Sequence, residues 1–150
     1  MTRVTLDLRS IRAVLEAGGR PCHRVSDDTF RTLVHGARSG FPVLVRLDPA
    51  GFVVFAIVPF LRSPADEGQA ARLYARLLEL NHELLMARFS IDDDLDVMLS
   101  AEYALADLDR SEVEDALDVL AFYADRHHEA LGRVAAPPRG GMRAPTRTPG

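Results

Sequence analysis

Apolar positions in this chain change period along its length, and the changes mark out its elements. Leu8, Ile11, Val14 and Leu15 fall on one helical face, Asp7 stands at the capping position, and Gly18-Gly19 is a stop. This amphipathic segment is expected to cover one face of a sheet. His23-Arg24-Val25 and Phe30-Arg31-Thr32-Leu33-Val34 read as two short strand pieces around Asp27-Asp28. Phe41, Val43, Val45 and Leu47 alternate with Pro42, Leu44, Arg46 and Asp48, the pattern of a strand with two different faces. Asp48-Pro49-Ala50-Gly51 suits a type I turn. The return run, residues 52–60, does not alternate. It is either a strand covered on both sides or a strand with one face turned toward a dimer or partner surface.

A loop through Pro64 and Gly68 leads into a second helix with Leu73, Leu77, Leu80 and Leu84 along one stripe and Tyr74, Leu78 and Asn81 beside it. So apolar a helix needs more than one neighbour, either its own sheet or the same helix of a second subunit. Ala87, Phe89 and Ile91, then Leu95, Val97 and Leu99, alternate around Asp92-Asp93-Asp94 as a short antiparallel hairpin. Asp109 followed by Glu112 has capping-box spacing and opens a last helix with Val113, Leu117, Leu120, Ala124, His127 and Leu131 inward. Its first turns are acidic and its end carries Arg126 and Arg133, as the helix dipole favours.

The expected architecture is α+β, in the order helix, three strands, helix, two strands, helix, with an antiparallel sheet and flanking helices. A length of 150 residues fits one domain, expected over 1–132. Residues 133–150, rich in Arg and Pro with almost nothing to bury, are expected to be a disordered tail. That tail is read as a solvated end, a ligand for an acidic partner, or a segment folding back on the acidic body.

Charge sharpens this picture. Every basic side chain is arginine. Residues 1–63 hold nine Arg against five acids, 64–132 hold five against 17, and 133–150 hold four and no acid. An acidic body argues against a nucleic-acid partner, since phosphate contacts need clustered positive charge. No apolar run approaches the roughly 20 residues of a membrane span. The first residues lack the apolar core of a signal peptide, and the single cysteine, Cys22, cannot form an internal disulfide. The expectation is a cytoplasmic protein with no membrane partner.

Candidate chemistry is thin. Asp92, Asp94 and Asp96 begin a calcium-loop spacing, but Val97 stands where Gly is needed and Tyr103 where the bidentate Glu is needed. His82-Glu83 has Met86 at the second zinc-protease histidine position. His127 and His128 point about 100° apart on a helix, and Cys22 and His23 point to opposite faces of a strand. No glycine-rich phosphate loop is present. Neither catalytic residues nor a cofactor or metal are expected.

The segment Leu73-Tyr74-Ala75-Arg76-Leu77-Leu78-Glu79-Leu80-Asn81, followed by Ala87-Arg88-Phe89-Ser90-Ile91-Asp92, Asp96-Val97-Met98-Leu99 and Phe122-Tyr123-Ala124-Asp125, resembles the YbjN-type bacterial proteins. The order of elements resembles the type III secretion chaperone-like fold. The likeness covers 7–132 in layout and 73–125 in detail, with 22–36 departing from it. It implies a small α+β domain, typically a homodimer, without known catalytic residues. It also implies, from the secretion chaperones, binding of an extended client segment.

Three functions are therefore weighed. The first is a non-enzymatic, chaperone-like or regulatory module binding a partner protein as a homodimer, with Phe52, Phe55, Ile57, Leu77 and Leu84 as interface candidates. The second is a small-molecule or metal site using His23, His35, His82, His127 and His128. The third is a passive subunit tethered by its arginine-rich tail.

Overall fold

The computed structural model describes residues 6–137. Helix α1 (Leu8–Ala17) is followed by strands β1 (His23–Arg24), β2 (Thr29–His35), β3 (Gly40–Asp48) and β4 (Phe52–Arg62). Then come α2 (Glu67–Glu83), β5 (Arg88–Ile91), β6 (Asp96–Ala104), a 3-10 turn at Leu105–Asp107 and α3 (Arg110–Ala135). The expected order holds, with the first strand region split into a two-residue β1 and a seven-residue β2. The last helix passes the expected boundary at 132 and ends at Ala135. The rest of the expected disordered tail, 138–150, lies outside the described residues.

Local chemistry explains the boundaries. The carboxylates of Asp7, Asp66 and Asp109 each accept from a backbone N–H three residues on, those of Ser10, Gln69 and Glu112, at 2.7, 2.8 and 3.1 Å. Each satisfies one donor that a helix start leaves unpaired. Gly51, at φ +90°, closes the β3–β4 turn by donating to the Asp48 carbonyl at 2.9 Å.

The six strands form one antiparallel sheet in the order β1-β2-β3-β4-β6-β5. Opposed residues of an antiparallel pair share a face. By that rule Phe30, Thr32 and Val34, then Val43 and Val45, then Val53, Phe55 and Ile57, then Leu99 and Ala101, all face one way. They join Ile11 and Leu15 of α1, Leu73, Leu77 and Leu80 of α2, and Val113, Leu117, Leu120 and Ala124 of α3 in one buried core. All three helices therefore lie on one face of the sheet. A register shift in β4 between Ile57 and Leu61 brings Phe60 into the same core, where its ring meets Phe41, Phe89 and His128.

The charge asymmetry along the chain becomes contact between layers. Arg20 reaches Glu114 of α3 at 3.4 Å, and Arg38 reaches Glu129 at 2.7 Å. The second pair is largely exposed, so it orients more than it stabilises.

Candidate protein-binding surface

Among the described residues, the face of the sheet opposite the helices carries no second layer. Register places a row across five strands there: Arg31, Leu44, Ala56, Ser100 and Arg88. The next row is Thr29, Arg46, Val54 and Glu102. Phe52 lies beyond, between Asp48 and Ala104. Small side chains floor the middle: Ala56 is 4% exposed and Ser100 2%, while Phe52 stands out at 44%. Long charged side chains rim it. Arg88 pairs with Glu102, and Arg46 with Asp48 at 3.3 Å. The result is a shallow face with an arginine at each end of its central row, a floor of small, nearly covered side chains and an exposed phenylalanine at its margin, set across strands about 4.8 Å apart. A cavity of about 320 Å³ opens at its β5 end, lined by Met86, Arg88, Ser100 and Glu102.

Side chains meet part of each edge of the sheet. Asn81, near the end of α2, donates from Nδ2 to the Phe89 carbonyl at 2.9 Å and accepts the Phe89 N–H on Oδ1 at 2.7 Å. It therefore pairs with the outer edge of β5 as a neighbouring strand would. At the other edge, Arg12 donates to the Cys22 carbonyl at 3.1 Å, just before β1. Edge groups satisfied in this way offer little to an added strand.

A second apolar patch lies on the helical layer. The Tyr123 hydroxyl accepts the N–H of Leu85 at 3.0 Å, and the Tyr123 ring meets Phe122 with centroids 5.3 Å apart. Leu85, Met86 and Phe122 are all more than half exposed. Met86 takes φ 63°, a left-handed conformation uncommon for its residue type.

Of the five interface candidates, only Phe52 is at the surface. Phe55, Ile57, Leu77 and Leu84 are buried within the chain's own fold. Pairing of Val45 with Phe55 turns Phe55 and Ile57 toward the helices, Leu77 lies on the inner stripe of α2, and Leu84 caps that helix from within the core. These four are core residues, while Phe52, Val54, Ala56 and Leu44 share the other face, where Val54 and Ala56 are themselves nearly covered by their neighbours.

The histidines are spread over the fold. His23, His35 and His82 are exposed on β1, β2 and α2. His127 stacks on Tyr123 and meets the Phe89 edge, and His128 meets Phe41 and Phe60. Burial, with Arg126 and Arg76 adding to it, holds the His127 imidazole below its usual range against the pull of Glu83. Cys22 is buried and His23 exposed, and burial pushes the Cys22 thiol up, away from a reactive thiolate. Among the described residues no group of His, Cys, Asp and Glu is arranged to hold a metal. The Asp92 carboxylate accepts the N–H groups of Asp94 and Asp96 at 3.0 and 2.8 Å, so it shapes the hairpin turn. No helix among the described residues is long and apolar enough to cross a membrane.

Sequence reasoning missed Asn81 as an edge guard. Its signal was a polar residue beside the apolar stripe of α2, where a buried amide needs partners.

Similar folds occur among solved structures. A chain of the heterodimeric ExoU–SpcU complex from the type III secretion system of Pseudomonas aeruginosa superposes with a TM-score of 0.55 at 19% identity, covering 84% of this chain and 98% of that one. YbjN from E. coli gives 0.60 at 12% identity, covering 85% and 95%. A chain of the HopA1–SchA chaperone–effector complex gives 0.54 at 12% identity, covering 79% and 90%. No curated protein matches the chain in sequence. The fold is thus the α+β type seen in secretion chaperone complexes. The model of the YbjN family, described as "Putative bacterial sensory transduction regulator", matches residues 7–133, and the chain belongs to that family.

Proposed function

We propose that the protein is a non-enzymatic binding module that holds an apolar segment of a partner protein across the open face of its sheet. One observation carries this reading: a six-stranded sheet with all its helices on one side leaves its other face without a covering layer among the described residues, with Phe52 exposed on it. Apolar contact over Phe52 and Leu44 supplies the affinity, and the arginine and glutamate rim selects among partners. The likeness to chains from chaperone–effector complexes supports the same reading. The exposed Leu85, Met86 and Phe122 patch favours a homodimer in which a second copy covers the helical layer, leaving the open face free.

Native mass spectrometry of the protein purified gently from its host, beside two double variants, tests both parts. Phe52→Asp with Leu44→Asp is expected to lose a stoichiometric polypeptide and remain dimeric. Leu85→Glu with Phe122→Asp is expected to become monomeric and keep the polypeptide. A bound polypeptide indifferent to the first pair would remove the open face from the reading. A bound metal or small molecule in its place would move the histidines to the front.

A further inference from the structure

A second groove runs between the end of α3 and the β5–β6 turn, and its apolar floor has no partner among the described residues. The buried Gln69 donates from Nε2 to the Ala136 carbonyl at 2.8 Å, fixing the point where the chain leaves α3. There Pro137 and Ala135 face Pro64 and Ala65 across a cavity of about 520 Å³. Pro64 and Ala65 also wall the next cavity, about 490 Å³, which continues to Leu95 between Asp94 and Asp96. The two cavities therefore share the Pro64–Ala65 wall, one opening at the exit of α3 and the other at the hairpin turn.

Its far end is held firmly. The Leu95 carbonyl accepts from Ser63 N at 3.2 Å and Ser63 Oγ at 2.5 Å, and Ser63 Oγ takes the Tyr74 hydroxyl at 2.7 Å. Leu95 itself takes φ 62° and is 59% exposed, an apolar side chain presented to solvent on a braced turn. Asp93 and Asp94 are exposed beside it, and Asp66 lines the near end. Arg72 and Arg62 are the opposing cations, one in each cavity.

Residues 138–150 supply the complementary chemistry. They contain Arg139, Arg143 and Arg147 and no acidic side chain, with Pro138 before them and Met142, Ala144 and Pro145 between them. Extended, 13 residues reach roughly 43 Å, ample for a groove that starts at their own attachment point. We propose that this segment docks back along the groove, with its apolar residues on Pro64, Ala65 and Leu95 and its arginines toward Asp93, Asp94 and Asp96. Being tethered beside the groove, the segment binds at high effective concentration, ahead of a similar peptide in solution. The contact is between oppositely charged, exposed groups, so salt weakens it.

Paramagnetic broadening in the full chain tests this, with a nitroxide on Met142→Cys in a Cys22→Ala background. At low salt the amides of Ala65, Asp94 and Leu95 are expected to lose more than half their intensity, independently of protein concentration. Those of Leu44 and Val54 are expected to stay sharp. Half a molar sodium chloride, or Asp93→Asn with Asp94→Asn, is expected to restore the signals at least twofold. In the otherwise native chain, Arg139→Gln, Arg143→Gln and Arg147→Gln together are expected to shift the amides of Ala65 and Leu95. Uniform broadening, broadening centred on the open sheet face, broadening that grows with concentration, or no shift in the triple variant would each overturn the proposal. None of these readouts needs the partner of the open face, so the two readings stand or fall separately.

Discussion

The two sides of β4 carry similar residues and do different things. Val53, Phe55 and Ile57 lie beneath three helices, while Phe52, Val54 and Ala56 lie on a face with no layer above it among the described residues. Hydrophobicity alone does not separate the two sets. Pairing does: Phe55 is opposed by Val45 and Ala101, whereas Val54 is opposed by Arg46 and Glu102. The surroundings of an apolar strand residue depend on what its neighbours across the ladder bring to that face.

The sharpest way to break this comparison is to place a charge on each side. Phe55→Asp puts an unpaired carboxylate in the core and is expected to cost more than about 4 kcal/mol, enough to leave little folded protein. Phe52→Asp is expected to change stability by no more than about 1 kcal/mol. Urea unfolding of both variants reads the difference, and similar losses would mean that the open face is not open. A smaller effect is expected at the sheet edge. Asn81→Ala leaves the Phe89 N–H and carbonyl without their partner, at about 1–3 kcal/mol, and uncovers an edge for pairing between chains. Analytical ultracentrifugation is expected to show concentration-dependent species beyond those of the parent protein.

The smallest expected effect belongs to His127. Its folded-state pKa lies below the ordinary value of 6.5, so the unfolded chain binds this proton more readily. Its contribution is full above that pH, declines as pH falls through it, and levels off once the folded imidazole is also protonated. Thermal melts of His127→Phe against the parent between pH 5 and 8 check the sign: the parent is expected to lose more stability toward acid.

Much of this fold is legible in the sequence, because alternation and capping are local. Phe41, Val43 and Val45 announce one buried face of β3, Asp48 to Gly51 announce the turn, and Asp109 announces α3. The face of β4 is not legible, since residues 52–60 are apolar on both sides and only the register with β3 and β6 says which side is covered. Phe55 and Ile57 accordingly looked as suited to a partner as Phe52. The α2 stripe misled differently: Leu77 and Leu84 turn inward, while Leu78, one position along, is 71% exposed. Asn81 and the patch around Tyr123 depend on contacts between elements distant in sequence, which no local pattern records.

Edge strand β5 sits between two left-handed residues, Met86 and Leu95, each a side chain held in a conformation that glycine would adopt without penalty. Strain of about 1 kcal/mol or more at either end is released whenever the strand detaches, so it lowers the cost of detachment directly. Against that strain the four-residue strand sets its ladder with β6, the Asn81 amide, the buried Phe89 ring and the Ser63 bonds to the Leu95 carbonyl, on a strand shorter than β3 or β4. Sub-global opening is therefore expected to begin there: in amide hydrogen exchange, β5 gives up its protection well before β3 and β4, and a region folded as one layer behaves as a firm sheet with a loosely latched margin.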